Sequence, residues 1–194
     1  MSQDKVNKLK KQGFLEPCKL DLEIKHAVAD QIENYIQNNV HQLILQVTQN
    51  CNLRCKYCVY SGSYINRVHT NKRMNWNTAK KAIDFLQSHS ECSSQVAFGF
   101  YGGEPLLEFE LIKKCVAYIN QIFFGKRKTF VITTNATLLN EEKLRFFIEI
   151  NFSIMISLDG PASVQDGNRV FADNESGTSV SYTHLRAHET KANL

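Results

Sequence analysis

The stretch Leu43-Ile-Leu-Gln-Val-Thr48, followed at once by Gln49-Asn-Cys-Asn-Leu-Arg-Cys-Lys-Tyr-Cys58, decides how the rest of this chain is read. Its first part is largely apolar, with β-branched residues, and reads as a strand. Its second part sets Cys51, Cys55 and Cys58 at C-x3-C-x2-C spacing on the loop that leaves that strand. Three thiolates can hold three irons of a four-iron cube and leave the fourth open to a substrate or cosubstrate, whereas four cysteines would close the cluster for electron transfer. Taken alone, the same thiols also suit a structural zinc, with His41 or His69 as fourth ligand, or plain reduced cysteines. Their place at a strand's carboxyl end favours reaction chemistry, because catalytic groups collect there in βα barrels.

Downstream the pattern alternates. Residues 59–77 are polar and aromatic, too polar for core, and read as an ordered loop near the site. Ala79, Ala82, Ile83 and Leu86 recur at helical spacing behind the candidate caps Asn75 and Asn77. Val96–Tyr101 reads as a strand. Leu111, Ile112, Cys115, Val116, Ile119 and Phe123 form one helical face, with Cys115 as a small core residue, and Thr129–Thr134 is a third strand. Asn140, followed by Glu141 and Glu142, starts a further helix with acidic groups at the positive end of its dipole, and Leu144, Phe147 and Ile148 are its expected buried face. Phe152–Leu158 is the fourth strand. Strands alternating with helices imply an α/β fold of βαβ units with a parallel sheet. Four strands do not close an eight-stranded barrel, so the expected architecture is a parallel (βα) partial TIM-type barrel, truncated after about four βα units.

Each strand ends in residues that differ from ordinary core. The cysteine loop follows the first, Gly102-Gly103-Glu104-Pro105 the second, Thr134-Asn135 the third, and Ser157-Leu158-Asp159-Gly160 closes the fourth. Singly, the glycine pair and Asp159-Gly160 read as turns and Arg169 as a surface charge. Jointly they point to one crevice, since the carboxyl ends of parallel strands share a face.

In this order the motifs resemble the core domain of radical S-adenosylmethionine (SAM) enzymes, over about residues 43–170. Cys51, Cys55 and Cys58, with the aromatic Tyr57 before the last cysteine, match the family's cluster signature, and Gly102, Gly103 and Glu104 its glycine-glycine-glutamate motif. The resemblance implies a [4Fe-4S] cluster on the three cysteines, with the methionyl amine and carboxylate of S-adenosyl-L-methionine on the open iron. Gly102, Gly103 and Glu104 would line the methionyl ammonium. In the subset resembling SPASM-type peptide modifiers and anaerobic sulfatase maturases, the serine of Ser-Leu-Asp-Gly and an arginine twelve residues on, here Ser157 and Arg169, also contact the cosubstrate. Arginine suits that work because its planar fork grips a carboxylate in two bonds. Asn135 is a further carry-over, in Thr-Asn-Ala where the family often has Thr-Asn-Gly. The implied activity is reductive cleavage of SAM to a 5'-deoxyadenosyl radical that modifies a ribosomal peptide, such as thioether crosslinking of a cysteine-rich precursor. The alternatives are a sulfatase-type protein or small metabolite as substrate, or a zinc-stabilised interaction domain without catalysis. The implied partners are a peptide substrate and an external electron donor of flavodoxin or ferredoxin type.

Composition sets the outer limits. The chain has 194 residues, 43% hydrophobic and 22% charged, which is ordinary for a globular protein with a substantial core. A net charge of +4 is weak evidence for any polyanion partner, and no nucleic acid or membrane partner is expected. No apolar run approaches a membrane span of about 20 residues, and six cysteines without a signal peptide suit a reducing cytoplasm. The chain divides into an extension over 1–42 with a helix expected within 20–38, a radical SAM core over 43–177, and a tail over 178–194. The tail continues no family pattern, resembles translated library adapter, and is expected to make no packed contacts. The lysines at positions 5–19 read as a solvated terminus, and Cys18 and Cys92 receive no role.

Overall fold

The computed structural model describes residues 3–14, 26, 29–61, 65, 67–173 and 178. Four strands, β1 (Gln42–Thr48), β2 (Gln95–Gly102), β3 (Arg127–Thr134) and β4 (Ser153–Ile156), form one parallel sheet in the order β1-β2-β3-β4. Helices α3 (Trp76–Ser88), α4 (Phe109–Ile122) and α5 (Glu141–Glu149) connect them, each following one strand and preceding the next. This is the expected α/β arrangement, a partial barrel. Earlier in the chain lie α1 (Gln3–Lys11) and α2 (Ile32–Asn38), the latter preceded by a 3-10 turn over Ala29–Gln31. Only the second half of the helix expected over 20–38 is thus seen; most of its first half lies outside the described residues, as does Cys18.

Strand alternation explains which face the helices cover. Leu45, Val47, Val96, Phe98, Phe100, Phe130 and Ile132 point to one side and pack on Ala79, Ile83 and Leu86 of α3, on Ile112, Cys115, Val116 and Ile119 of α4, and on Phe147 of α5. Burying each large side chain contributes about 1.5–3 kcal/mol. Phenylalanine rings tie the layers together: Phe98 stacks on Phe130 at 5.7 Å and meets Phe123 edge-on at 5.2 Å, and Phe130 stacks on Phe152 at 5.3 Å. The opposite face carries Ile44, Tyr101 and Met155, each at least half exposed.

The caps follow the sequence. The Asn75 side chain accepts from the Thr78 N–H to start α3, and Asn140 accepts from the Lys143 N–H to start α5. The expected buried face of α5 needs correction: Phe147 is buried, but Leu144 is 37% and Ile148 77% exposed. The helix seats on Phe146, Phe147 and Ile150, with Phe146 edge-on to Phe109 at 5.4 Å, and this rotates Leu144 and Ile148 outward. Two short helical elements were not expected, a 3-10 turn over Pro105–Glu108 and α6 (Ala162–Asn168). Among the described residues no helix is long and apolar enough to cross a membrane.

Candidate functional site

At the carboxyl end of the sheet, a cavity of about 280 Å³ is lined by Cys51, Cys55, Tyr57, Cys58, Gly102, Gly103, Asn135, Ser157 and Arg169, together with Tyr60, His69 and Tyr101 among others. Residues spread over more than half the sequence meet there because all four strands end on that side.

The cysteine loop is fastened along both edges. On one edge the register of β1 against β2 shifts between Gln46 and Thr48, after which Gly103 N–H donates to Thr48 O and Glu104 N–H to Asn50 O, both at 2.9 Å. A Cβ on Gly103 would lie 2.1 Å from Asn50 O and 3.1 Å from Cys51 Cβ, and one on Gly102 2.4 Å from Thr48 O. The glycine pair is therefore required by the close approach of the cysteine loop's own backbone. On the other edge Arg54 N–H donates to Val170 O, Lys56 N–H to Asn168 O and Ala172 N–H to Asn52 O, with an antiparallel bridge between Leu53 and Phe171.

Glu104 does not line the cavity. Its side chain is fully buried; Oε1 accepts from the Leu106 N–H and the Thr134 hydroxyl, and Oε2 from the Asn135 N–H. Burial raises the pKa of this carboxyl, and the three donors pull it back. In this arrangement its carboxylate clips the end of β3 to the end of β2.

Arg169, 9% exposed, donates through Nε to Asp159 Oδ1 at 2.9 Å, sets Nη1 4.0 Å from Cys55 Sγ, and lies over the Tyr57 ring at 5.5 Å. The Tyr57 hydroxyl donates to the same Asp159 oxygen at 2.7 Å. Burial alone would raise Asp159, but the bonds from Tyr57 and Arg169 outweigh it and hold the carboxyl below its ordinary value. Ser157 extends the β3–β4 ladder by donating its N–H to Thr134 O and so brings its side chain to the cavity. Behind Arg169, Gln165 accepts from the Asp159 N–H and donates to the Thr178 hydroxyl, which donates to Arg169 O. Thr178, the first residue of the expected contact-free tail, is thus buried and packed, while residues 179–194 lie outside the described residues.

Residues 45–171 match the radical SAM superfamily. The chain belongs to that superfamily. It is 42% identical over 123 residues to an uncharacterized protein of Methanocaldococcus jannaschii, covering 63% of this chain and 40% of that protein. With a cysteine-type anaerobic sulfatase-maturating enzyme of Clostridium novyi the identity is 29% over 151 residues, 76% of this chain and 40% of the enzyme. The solved structure of native anSMEcpe with bound AdoMet has the same fold, with a TM-score of 0.68 at 23% identity over 80% of this chain and 42% of that one. The chain spans about 40% of the length of these curated relatives.

The cofactors of this radical SAM chain are a [4Fe-4S] cluster and SAM, and its donor set fits them. Burial pushes the Cys51 thiol up to about 11, with the Glu104 carboxylate and the other two cysteines adding to the effect of desolvation, and burial also raises Cys55 against the pull of Arg169. A cationic metal group would draw the Cys51 and Cys55 thiols, which burial keeps from ionising alone, into the thiolate form. Among the described residues no three His, Cys, Asp or Glu groups converge as a single ion would need. His41 precedes β1, at the sheet end opposite the cysteines, whereas His69 lines the cavity with them, its Nε2 bonded to the Ser61 hydroxyl at 2.7 Å. Three thiolates on one loop at this spacing suit a cluster, in which each binds a different iron. Sequence reasoning missed Asn52, Thr137 and Gln165, whose roles arise only when distant segments meet.

Proposed function

We propose that this chain carries the cluster and cosubstrate half of a radical SAM enzyme that modifies a peptide. The observation that carries the reading is the convergence of three cysteines, a backbone-lined glycine pair, Asn135, Ser157 and Arg169 on one cavity. Cys51, Cys55 and Cys58 would hold the cluster, and Gly102, Gly103, Asn135, Ser157, Arg169 and Tyr57 the cosubstrate, with Glu104 acting from beneath. Bound there and reduced, the cluster would supply the single electron that cleaves the sulfonium of SAM. The protein's own part is orientation and exclusion. The Arg169 guanidinium is held by Asp159 through Nε, so that its planar fork would meet a carboxylate, and Tyr57 covers its face. Exposed Tyr101 and half-buried Tyr60 and His69 line the cavity wall toward the exposed sheet face, where a peptide segment would enter. The electron would come from a flavodoxin- or ferredoxin-type donor.

Cysteine thioether crosslinking is one outcome for the peptide. A second reading, oxidation of a sulfatase-type cysteine or serine, is favoured by the relatives named as cysteine-type and serine-type anaerobic sulfatase-maturating enzymes. Anaerobic reconstitution with iron and sulfide, followed by dithionite and SAM, tests the shared core. Brown protein that releases 5'-deoxyadenosine is expected, with loss of both iron and product when Cys51, Cys55 or Cys58 is replaced by Ala. A colourless protein that takes up zinc instead refutes it. Mass spectrometry of a cysteine-rich precursor peptide against a sulfatase-site peptide then separates the two substrates.

A further inference from the structure

Asn135 stands where β3 ends, and its side-chain amide is held by a closed ring of hydrogen bonds. Oδ1 accepts from the Thr137 N–H at 3.0 Å and from the Thr137 hydroxyl at 2.7 Å. Nδ2 donates to Asn52 Oδ1 at 3.0 Å and faces Cys51 Sγ at 3.8 Å. Asn52 Nδ2 donates in turn to Thr137 Oγ1 at 2.7 Å, closing the ring. This ring admits one orientation of the Asn135 amide: turned over, its NH2 group would face the Thr137 backbone N–H, a donor against a donor. Asn52 takes one amide hydrogen, so the second is directed at the sulfur. Below, the Asn135 backbone N–H is anchored by Glu104 Oε2 at 2.8 Å, which fixes the height of the residue beside the cysteine loop.

We propose that Asn135 is a positioning residue that raises the reduction potential of the cluster, its amide donating to the Cys51 thiolate in an orientation imposed by Asn52 and Thr137. The proposal rests on the reading of Cys51 as a cluster ligand. Reduction adds negative charge that is shared with the cysteine sulfurs, so a donor aimed at one of them stabilises the reduced state more than the oxidised one. The Leu53 N–H, 3.3 Å from the same sulfur, acts in the same sense but belongs to the backbone of the loop. Asn135 reaches Cys51 from another strand and is the part of this contact that a side-chain substitution can remove.

The test compares anaerobically reconstituted wild type, Asn135→Leu and Thr137→Val by potentiometric titration, with the cluster followed by electron paramagnetic resonance and iron and sulfide measured per chain. Asn135→Leu is expected to keep its iron and to have a more negative midpoint. At the wild-type midpoint its reduced-to-oxidised ratio should fall about tenfold, or about 59 mV for a one-electron couple. Thr137→Val leaves Asn135 in place but loosens its amide, and is expected to shift the midpoint the same way by less. A purely structural role would lower the unfolding midpoint and leave the potential where it was. Unchanged potentials in both variants, with iron intact, overturn the proposal alone. If Asn135→Leu does not load iron, Thr137→Val decides, and an unchanged midpoint there overturns it. Failure of the wild type to take up iron and sulfide overturns the ligand reading and the proposal together.

Discussion

Replacing Gly103 by Ala tests whether the glycine pair serves the cysteine loop's backbone. The new methyl carbon would sit 2.1 Å from Asn50 O, 2.5 Å from Asn50 C and 3.1 Å from Cys51 Cβ. Ordinary contact distances begin near 3.5 Å, so the loop must retreat by roughly 1 Å or more. That retreat breaks the bonds from Gly103 N–H to Thr48 O and from Glu104 N–H to Asn50 O, both 2.9 Å. Two such bonds contribute about 2 kcal/mol, and overpacking costs about 1–3 kcal/mol more, so a loss of about 3–5 kcal/mol is expected. Domains are stable by about 5–15 kcal/mol, so the variant should fold with a much lower urea midpoint and bind iron poorly. Gly99→Ala is the internal control on the same strand. Its methyl would meet the Ile44 Cγ1 at 3.2 Å, a side chain at least half exposed and able to turn away, and a change within about 1 kcal/mol is expected. Equal urea midpoints and equal iron content for wild type and Gly103→Ala would refute the reasoning.

Ala136 sits at φ 63, in the left-handed region. Ala136→Gly should relieve about 1–2 kcal/mol of strain against about 0.4–1 kcal/mol of added unfolded-state freedom, so a slightly higher urea midpoint is expected. The carboxyl of Asp159 is held below its ordinary value, so its contribution is complete above the normal Asp range near pH 3.9 and is lost as pH falls through the lower folded value. Asp159→Asn should therefore flatten the acid limb of the stability-pH curve, read from urea midpoints between neutral pH and pH 3. Arg169→Ala should weaken SAM binding by about ten- to a hundredfold, the loss of one charge-assisted bond, as measured by titration of reconstituted protein. Because Asp159 also loses its ion-pair partner, this variant should lose stability as well, and Arg169→Lys should restore part of the stability but less of the affinity.

The sheet was legible because its strands are short, β-branched or aromatic, and separated by helices with clear apolar faces. The site was legible wherever chemistry is carried by residue type and spacing, as in the cysteine loop and the glycine pair. Direction was not. Nothing in Gly-Gly-Glu tells that the carboxylate turns beneath the loop to Thr134 and Asn135, since that depends on a β3 end that lies 30 residues away from Glu104 in one bond. The ring of Asn52, Asn135 and Thr137 joins positions 85 apart at its widest and leaves no local pattern. Helix α6 escaped notice because Ala-Ser-Val-Gln-Asp-Gly-Asn has no apolar period, and its buried residue is the polar Gln165. On α5 the period was read correctly, but its phase was set by the two adjacent phenylalanines.

The pairing of the cysteine loop with the segment around Phe171 makes the shape of the loop depend on a distant part of the chain. Leu53 and Phe171 are separated by most of the chain, so the second edge of the loop stays unfastened until the ribosome has made and released residues 168–172. The second edge of the cluster loop is thus shaped by long-range backbone pairing rather than by the loop's own sequence.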